Sequence, residues 1–187
     1  MDENNSAFNK DALCQILDRI NFWIENCDTK TSIAISAIGI IFAVLLSKDY
    51  AVKFKAIIGY MVNNINFFSF LYLTFTVISI SIISLGCYCL FRVLVSRTDI
   101  NLYKEAGIQL VSSIFFSGVA NSKSYKDYRK KLENFSENDL RNDLISQIYI
   151  CSKICDKKFK NYKTGITLVF IGFVFFLCLI VIGLIII

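Results

Sequence analysis

The chain has 187 residues, 55% of them hydrophobic and 19% charged, with a mean hydropathy of +0.55 and a net charge of +5. A soluble domain of this size cannot hide so much apolar surface, so the composition excludes an ordinary globular protein. The absence of histidine excludes Ser-His and Cys-His dyads and imidazole metal ligands, and no Walker A, GxGxxG or GxSxG pattern occurs.

Residues 1–30 open with acidic Met1-Asp2-Glu3 and lack the basic n-region of a cleaved signal peptide. Leu13, Ile16, Leu17, Ile20, Ile24 and Cys27 recur at helical spacing, predicting an amphipathic helix that runs into the first apolar run. That run, residues 31–47, is free of charge and bracketed by Lys30 and Lys48, which can snorkel to the headgroups. It is short for the roughly 20 residues that cross a bilayer, and a buried soluble helix is the alternative for this run alone. Ser32, Ser36, Gly39 and Ala43 share one of its faces, where a second helix backbone can approach closely.

Residues 48–66 mix apolar and polar groups and read as a short external loop; residues 67–91 are span two. Residues 92–163 form a basic segment expected to be helical, holding 14 Lys and Arg against 8 Asp and Glu. The loop at 48–66 offers only Lys48, Lys53 and Lys55, so the positive-inside rule places 92–163 and the N-terminus in the cytosol and Ile187 outside. The charge suits anionic headgroups or a small anionic ligand. No nucleic-acid-binding motif accompanies it, and nucleic acid is not an expected partner.

Ser136 and Asp139 resemble a capping box at the start of a long helix. Leu140, Leu144, Ile148, Cys151, Cys155, Phe159 and Tyr162 then form one apolar stripe. Gln147 and Lys158 fall within about 20° of that stripe at 100° per residue. Each is either a satisfied polar group at a packed face or part of a ligand or subunit contact. Gly165, Gly172 and Gly183 lie near the same direction in the third span, residues 164–187. Ser136 to Ile187 can therefore be a single helix of about 75 Å at 1.5 Å per residue. The seven cysteines form no CxxC pair and read as small hydrophobes in a reducing compartment. The expected fold is all-α, an integral membrane helical protein with three transmembrane helices and a cytosolic helical segment between spans two and three.

Three stretches resemble the transmembrane effectors of the bacterial Pycsar antiphage systems. Trp23 to Ser32 at the entry to span one, with Asp28-Thr29-Lys30-Thr31, is similar to that family's acidic D-x-K-[AS] junction. Asn142 to Lys160 resembles its D-L-x-x-Q-[IV]-Y run before the last span, in Asp143-Leu144-Ile145-Ser146-Gln147-Ile148-Tyr149. Phe116-Ser117-Gly118-Val119-Ala120 resembles an F-G-x-[IV]-A element, with Ser117 in place of glycine; Ser96-Arg97 stands where the family carries Pro-Arg. The resemblance implies an antiphage effector that senses cyclic CMP or cyclic UMP in the cytosol and disrupts the bacterial inner membrane, arresting growth as a homo-oligomer in the lipid bilayer. It implies no enzyme activity, no cofactor and no metal. On the resemblance, Lys30, Lys157 and Lys158 are candidates for phosphate charge, and Asp28 and Gln147 for hydrogen bonds to base or ribose or to one another. Asp28 and Lys30 serve equally well as headgroup anchors. The alternative functions are a constitutive membrane anchor recruiting a protein partner through the Leu140 stripe, and a ligand-free pore.

Overall fold

The computed structural model describes residues 9–95, 108–109 and 112–186. Six helices and no strand occur among them: α1 (Lys10–Leu45), α2 (Lys48–Asn63), α3 (Phe67–Leu94), α4 (Phe116–Ala120), α5 (Tyr125–Glu133) and α6 (Glu137–Ile186). α1, α3 and α6 are long and apolar enough to cross a bilayer, so the protein is an all-α membrane protein. Arg97, with most of the stretch that follows it, and Ile187 lie outside the described residues. The chain divides into two compact units: residues 27–95 with 158–187, the membrane unit, and residues 1–26 with 96–157, the polar unit. α1 and α6 contribute residues to both.

In the membrane unit, α3 buries Ser69, Tyr72, Thr76, Ser79, Ile83, Gly86, Leu90 and Val93. Steps alternate between three and four, the heptad rhythm that lets two long helices stay in contact along a shallow crossing. α6 answers with Gly165, Val169, Gly172, Leu179 and Gly183, all buried, running antiparallel to α3. Glycine is required at the tightest crossing. A Cβ on Gly86 would lie 2.7 Å from the Val169 backbone nitrogen and 2.9 Å from the Gly165 oxygen. Two hydrogen bonds then tie α3 to α6: Ser79 Oγ donates to the Gly172 carbonyl at 2.8 Å, and the Tyr72 hydroxyl to the Leu179 carbonyl at 2.9 Å. In a medium without water, side chains that find such acceptors avoid the cost of an unpaired polar group.

The 48–66 connection, which the sequence suggests is a loop, folds as the 16-residue helix α2. Ile57 and Met61, one turn apart, join Tyr72 and Leu179 in a buried cluster, and Phe54 meets Phe176 at 5.8 Å. Lys48, Lys53 and Lys55 stay exposed and mask this amphipathic face in the sequence. The Asn66 side chain caps α3 by accepting from the Ser69 amide at 2.8 Å.

The polar unit is organised by turns and caps. Ser124 caps α5 by accepting from the Asp127 amide at 3.1 Å. Ser136 and Asp139 form the anticipated capping box: Ser136 Oγ accepts from the Asp139 amide at 3.1 Å, and Asp139 Oδ2 accepts from the Ser136 amide at 3.0 Å. These bonds to Ser136 hold the Asp139 carboxyl below its ordinary pKa. Along α6, Leu144 and Cys151 are buried on the predicted stripe, and Asp143, Ser146 and Ile150 add a second buried row beside it. Burial, with Cys155 one turn on, pushes the Cys151 thiol above its usual pKa.

Candidate functional site

Two polar constellations stand out, one in each unit. In the membrane unit, the stem of Lys158 is buried on α6, 7% exposed, and its ammonium has two partners. It donates to Asp28 Oδ1 on α1 at 2.5 Å and to the Val93 carbonyl of α3 at 2.8 Å. Val93 lies in the last turn of α3, where carbonyls lack intrahelical partners and the helix dipole favours a cation. One ammonium therefore joins three helices. On α1, Cys27 and Thr31 flank Asp28 in the chain and are fully buried, and the Thr31 hydroxyl donates to the Cys27 carbonyl at 2.7 Å. Asp28 is the wetter partner, its side chain 37% exposed against 8% for Lys158.

In the polar unit, Asp143 is fully buried. Its Oδ2 accepts from the Ser113 amide at 2.7 Å, and the Ser113 carbonyl in turn accepts from the Tyr128 hydroxyl at 3.0 Å. Ser112 Oγ accepts from the Ile114 and Phe115 amides at 3.1 and 2.9 Å, closing the turn. Ser146 Oγ donates to the Asn142 carbonyl and accepts from the Gln109 amide at 3.1 Å. Gln147, 6% exposed, lies one helical turn beyond Asp143. The Phe116–Ala120 element packs against this turn, since a Cβ on Gly118 would collide with the Ser112 carbonyl oxygen. Gly118 is the position there that admits no side chain.

Of the residues singled out from the sequence, Lys158 and Asp28 are brought into direct contact. Lys30 and Lys157 are exposed, and Gln147 is buried in the polar unit. Gly165, Gly172 and Gly183 face Leu90, Ile83 and Tyr72 so closely that an added Cβ would come within 2.8, 2.8 and 2.6 Å of them. The small face of α1 lies differently: Ser32, Ser36, Gly39 and Ala43 are exposed, and a Cβ on Gly39 would meet nothing within 4 Å. Another side of α1, with Ala34, Ala37, Ile38 and Ile41, borders an apolar crevice of about 480 Å³ completed by Ile83, Val169 and Phe173. Sequence reasoning missed the Val93 carbonyl, which no pattern reveals, and Asp143, whose only signal is its place at the head of the D-L-x-x-Q run. No group of three or more Cys, Asp or Glu side chains is placed to hold a metal ion among the described residues.

These features define a helical membrane protein in which paired and capped polar groups occupy the interior. The family profile of the Pycsar effector protein domain, PycTM, matches residues 12–186. The chain is also 32% identical over 165 residues to the Pycsar effector protein GmPycTM of Gulbenkiania mobilis, covering 84% of each sequence. No solved structure matches it. The chain belongs to the Pycsar effector protein family and is an antiphage defence effector.

Proposed function

We propose that this effector senses a cyclic mononucleotide, cyclic CMP or cyclic UMP, and responds by disrupting the bacterial inner membrane, so that the infected cell stops growing. In this reading residues 31–47, 67–91 and 164–187 span the bilayer. Residues 92–163 and the N-terminus face the cytosol, as 14 Lys and Arg in that segment favour, and the end of span three lies outside. The α2 helix then rests at the outer interface, with its lysines toward the headgroups.

The observation that carries the proposal is the Lys158 junction. A single ammonium held by Asp28 and the Val93 carbonyl ties α1 to the α3–α6 pair, so one local charge change frees α1 from that pair. In the polar unit, exposed Lys157 supplies charge for a cyclic phosphate, and Gln147 supplies hydrogen-bonding groups for base or ribose. Once released, span one associates with further copies through Ser32, Ser36, Gly39 and Ala43, a face that meets nothing within its own chain at Gly39.

The test is dye release from vesicles of phosphatidylethanolamine and phosphatidylglycerol carrying the full chain, on addition of cyclic CMP or cyclic UMP. Release is expected with one of them, together with growth arrest when the chain is co-expressed with the matching cyclase. Silence with every cyclic nucleotide, and normal growth on co-expression, would refute the reading. A stable complex with another protein and no ligand-dependent toxicity would favour a constitutive anchor instead.

A further inference from the structure

Three buried side-chain polar atoms have no hydrogen-bond partner among the described residues: Asn26 Oδ1, Ser117 Oγ and Asp143 Oδ1. All three belong to the polar unit. The membrane unit, where an orphaned group is costliest, contains none of them. The largest demand is at Asp143. A carboxylate removed from water needs several donors, yet one oxygen takes the Ser113 amide at 2.7 Å and the other has no partner among the described residues. Fixing the turn needs only the first oxygen. The acceptor left over points to a donor that arrives from outside the chain.

We propose that Asp143 Oδ1 is the acceptor for an N–H on the hydrogen-bonding edge of the nucleotide base, with the Gln147 amide reading the acceptor beside it. This rests on the reading that the chain senses a cyclic nucleotide. Asp143 and Gln147 are an i, i+4 pair, so their side chains stand on one face about 5–6 Å apart at Cβ, a spacing that suits two neighbouring atoms of a planar base. Cytosine offers its exocyclic amine beside N3; uracil offers N3–H beside a carbonyl. A phosphate cannot take this place, because it would set an anion against a buried carboxylate. Phosphate charge therefore falls to lysines elsewhere, and Asp143 reads the base. Since Oδ1 is enclosed, entry requires the 112–115 turn to shift, and that turn is held to the same carboxylate through the Ser113 amide. Base binding and turn position are thereby coupled at one side chain.

Competition binding to the full chain in nanodiscs tests this, using whichever of cyclic CMP and cyclic UMP binds. N4,N4-dimethyl cyclic CMP or N3-methyl cyclic UMP, which lack the donor, are expected to compete at least roughly tenfold more weakly than the parent nucleotide. Asp143→Asn keeps an oxygen for the Ser113 amide but turns the free position from acceptor to donor. It is expected to cost a similar factor while leaving the thermal unfolding midpoint without nucleotide near that of the parent. The blocked analogues need no mutation and decide the matter even if Asp143→Asn folds poorly. If the parent nucleotide binds and the blocked analogues compete as well as it does, the base-reading role is wrong while nucleotide sensing stands. If no cyclic nucleotide binds, both fall.

Discussion

Breaking the Lys158–Asp28 pair from its two ends should have unequal consequences. Replacing Asp28 by Ala strands an ammonium whose side chain is 8% exposed, leaving it only the Val93 carbonyl 2.8 Å away. Removing one partner of a buried pair costs about 3–5 kcal/mol. The retained carbonyl bond and the 37% exposure of Asp28 pull the figure below that range, to about 2–3 kcal/mol. Lys158→Met removes the buried charge itself and fills the same space. Asp28, already partly wet, rehydrates, and the chief loss is the contact to the Val93 carbonyl, about 1 kcal/mol. The double variant should behave like Lys158→Met rather than like the sum of the two. Equilibrium unfolding in mixed detergent micelles, followed by the far-UV helix signal, measures all three. If Lys158→Met proves as damaging as Asp28→Ala, or if the double variant shows additive losses, the burial asymmetry does not govern this junction.

Glycines of similar appearance in the sequence should respond in opposite ways. Gly86→Ala drives a methyl into backbone atoms 2.7 and 2.9 Å away and is expected to cost about 1–3 kcal/mol, whereas Gly39→Ala meets nothing and should raise stability by up to about 1 kcal/mol through helix propensity; the same micelle unfolding assay reads both. Ser79→Ala removes one interhelical hydrogen bond and should cost about 0.6 kcal/mol and not more than about 1.7. The Asp139 carboxyl has a lowered pKa in the folded chain, so its contribution is present above the unfolded value of 3.8 and disappears as pH falls through the folded one. Asp139→Asn should therefore flatten the acid limb of a stability–pH curve below about pH 4, and an unchanged limb would contradict the capping assignment. Cys151, buried and raised in pKa, should react with a soluble maleimide far more slowly at pH 7 than Cys14, half-buried in the polar unit, does in the detergent-solubilised chain.

The sequence shows the spans because a bilayer demands long charge-free runs, and it shows α6 because its apolar spacing continues through Cys151 and Phe159 with no proline to interrupt. It shows Lys158 for the same reason: a lysine on an otherwise apolar stripe needs a partner. Which partner is not legible. Asp28 is 130 positions away, and the Val93 carbonyl belongs to a main chain that looks alike at every residue. α2 was hidden because Lys48, Lys53 and Lys55 interrupt any charge-free run along the chain, and only the cluster with Tyr72 and Leu179 shows that Ile57 and Met61 face inward. Asp143 was hidden by its chemistry. A charged residue in a basic, water-facing segment reads as solvated, and only its burial against the Ser113 turn shows otherwise.

The two families of small residues separate what the fold uses from what it leaves available. Gly86, Gly165, Gly172 and Gly183 are consumed in bringing α3 and α6 together, and the heptad steps of α3 show that this pairing is continuous from Ser69 to Val93. Span one also lines up small residues on one face, but its Gly39 is open. Within the membrane unit, its polar tie is the Asp28–Lys158 pair at one end, and an apolar crevice of about 480 Å³ lies beside it. A helix held by one charged contact and loosely packed elsewhere is the element of a bundle that moves at least cost, since few close contacts have to be given up. On the proposed reading, in which the effector stays harmless until signalled, a tightly built pair and one lightly held helix are what the device needs, and the distribution of packed and open glycines supplies both.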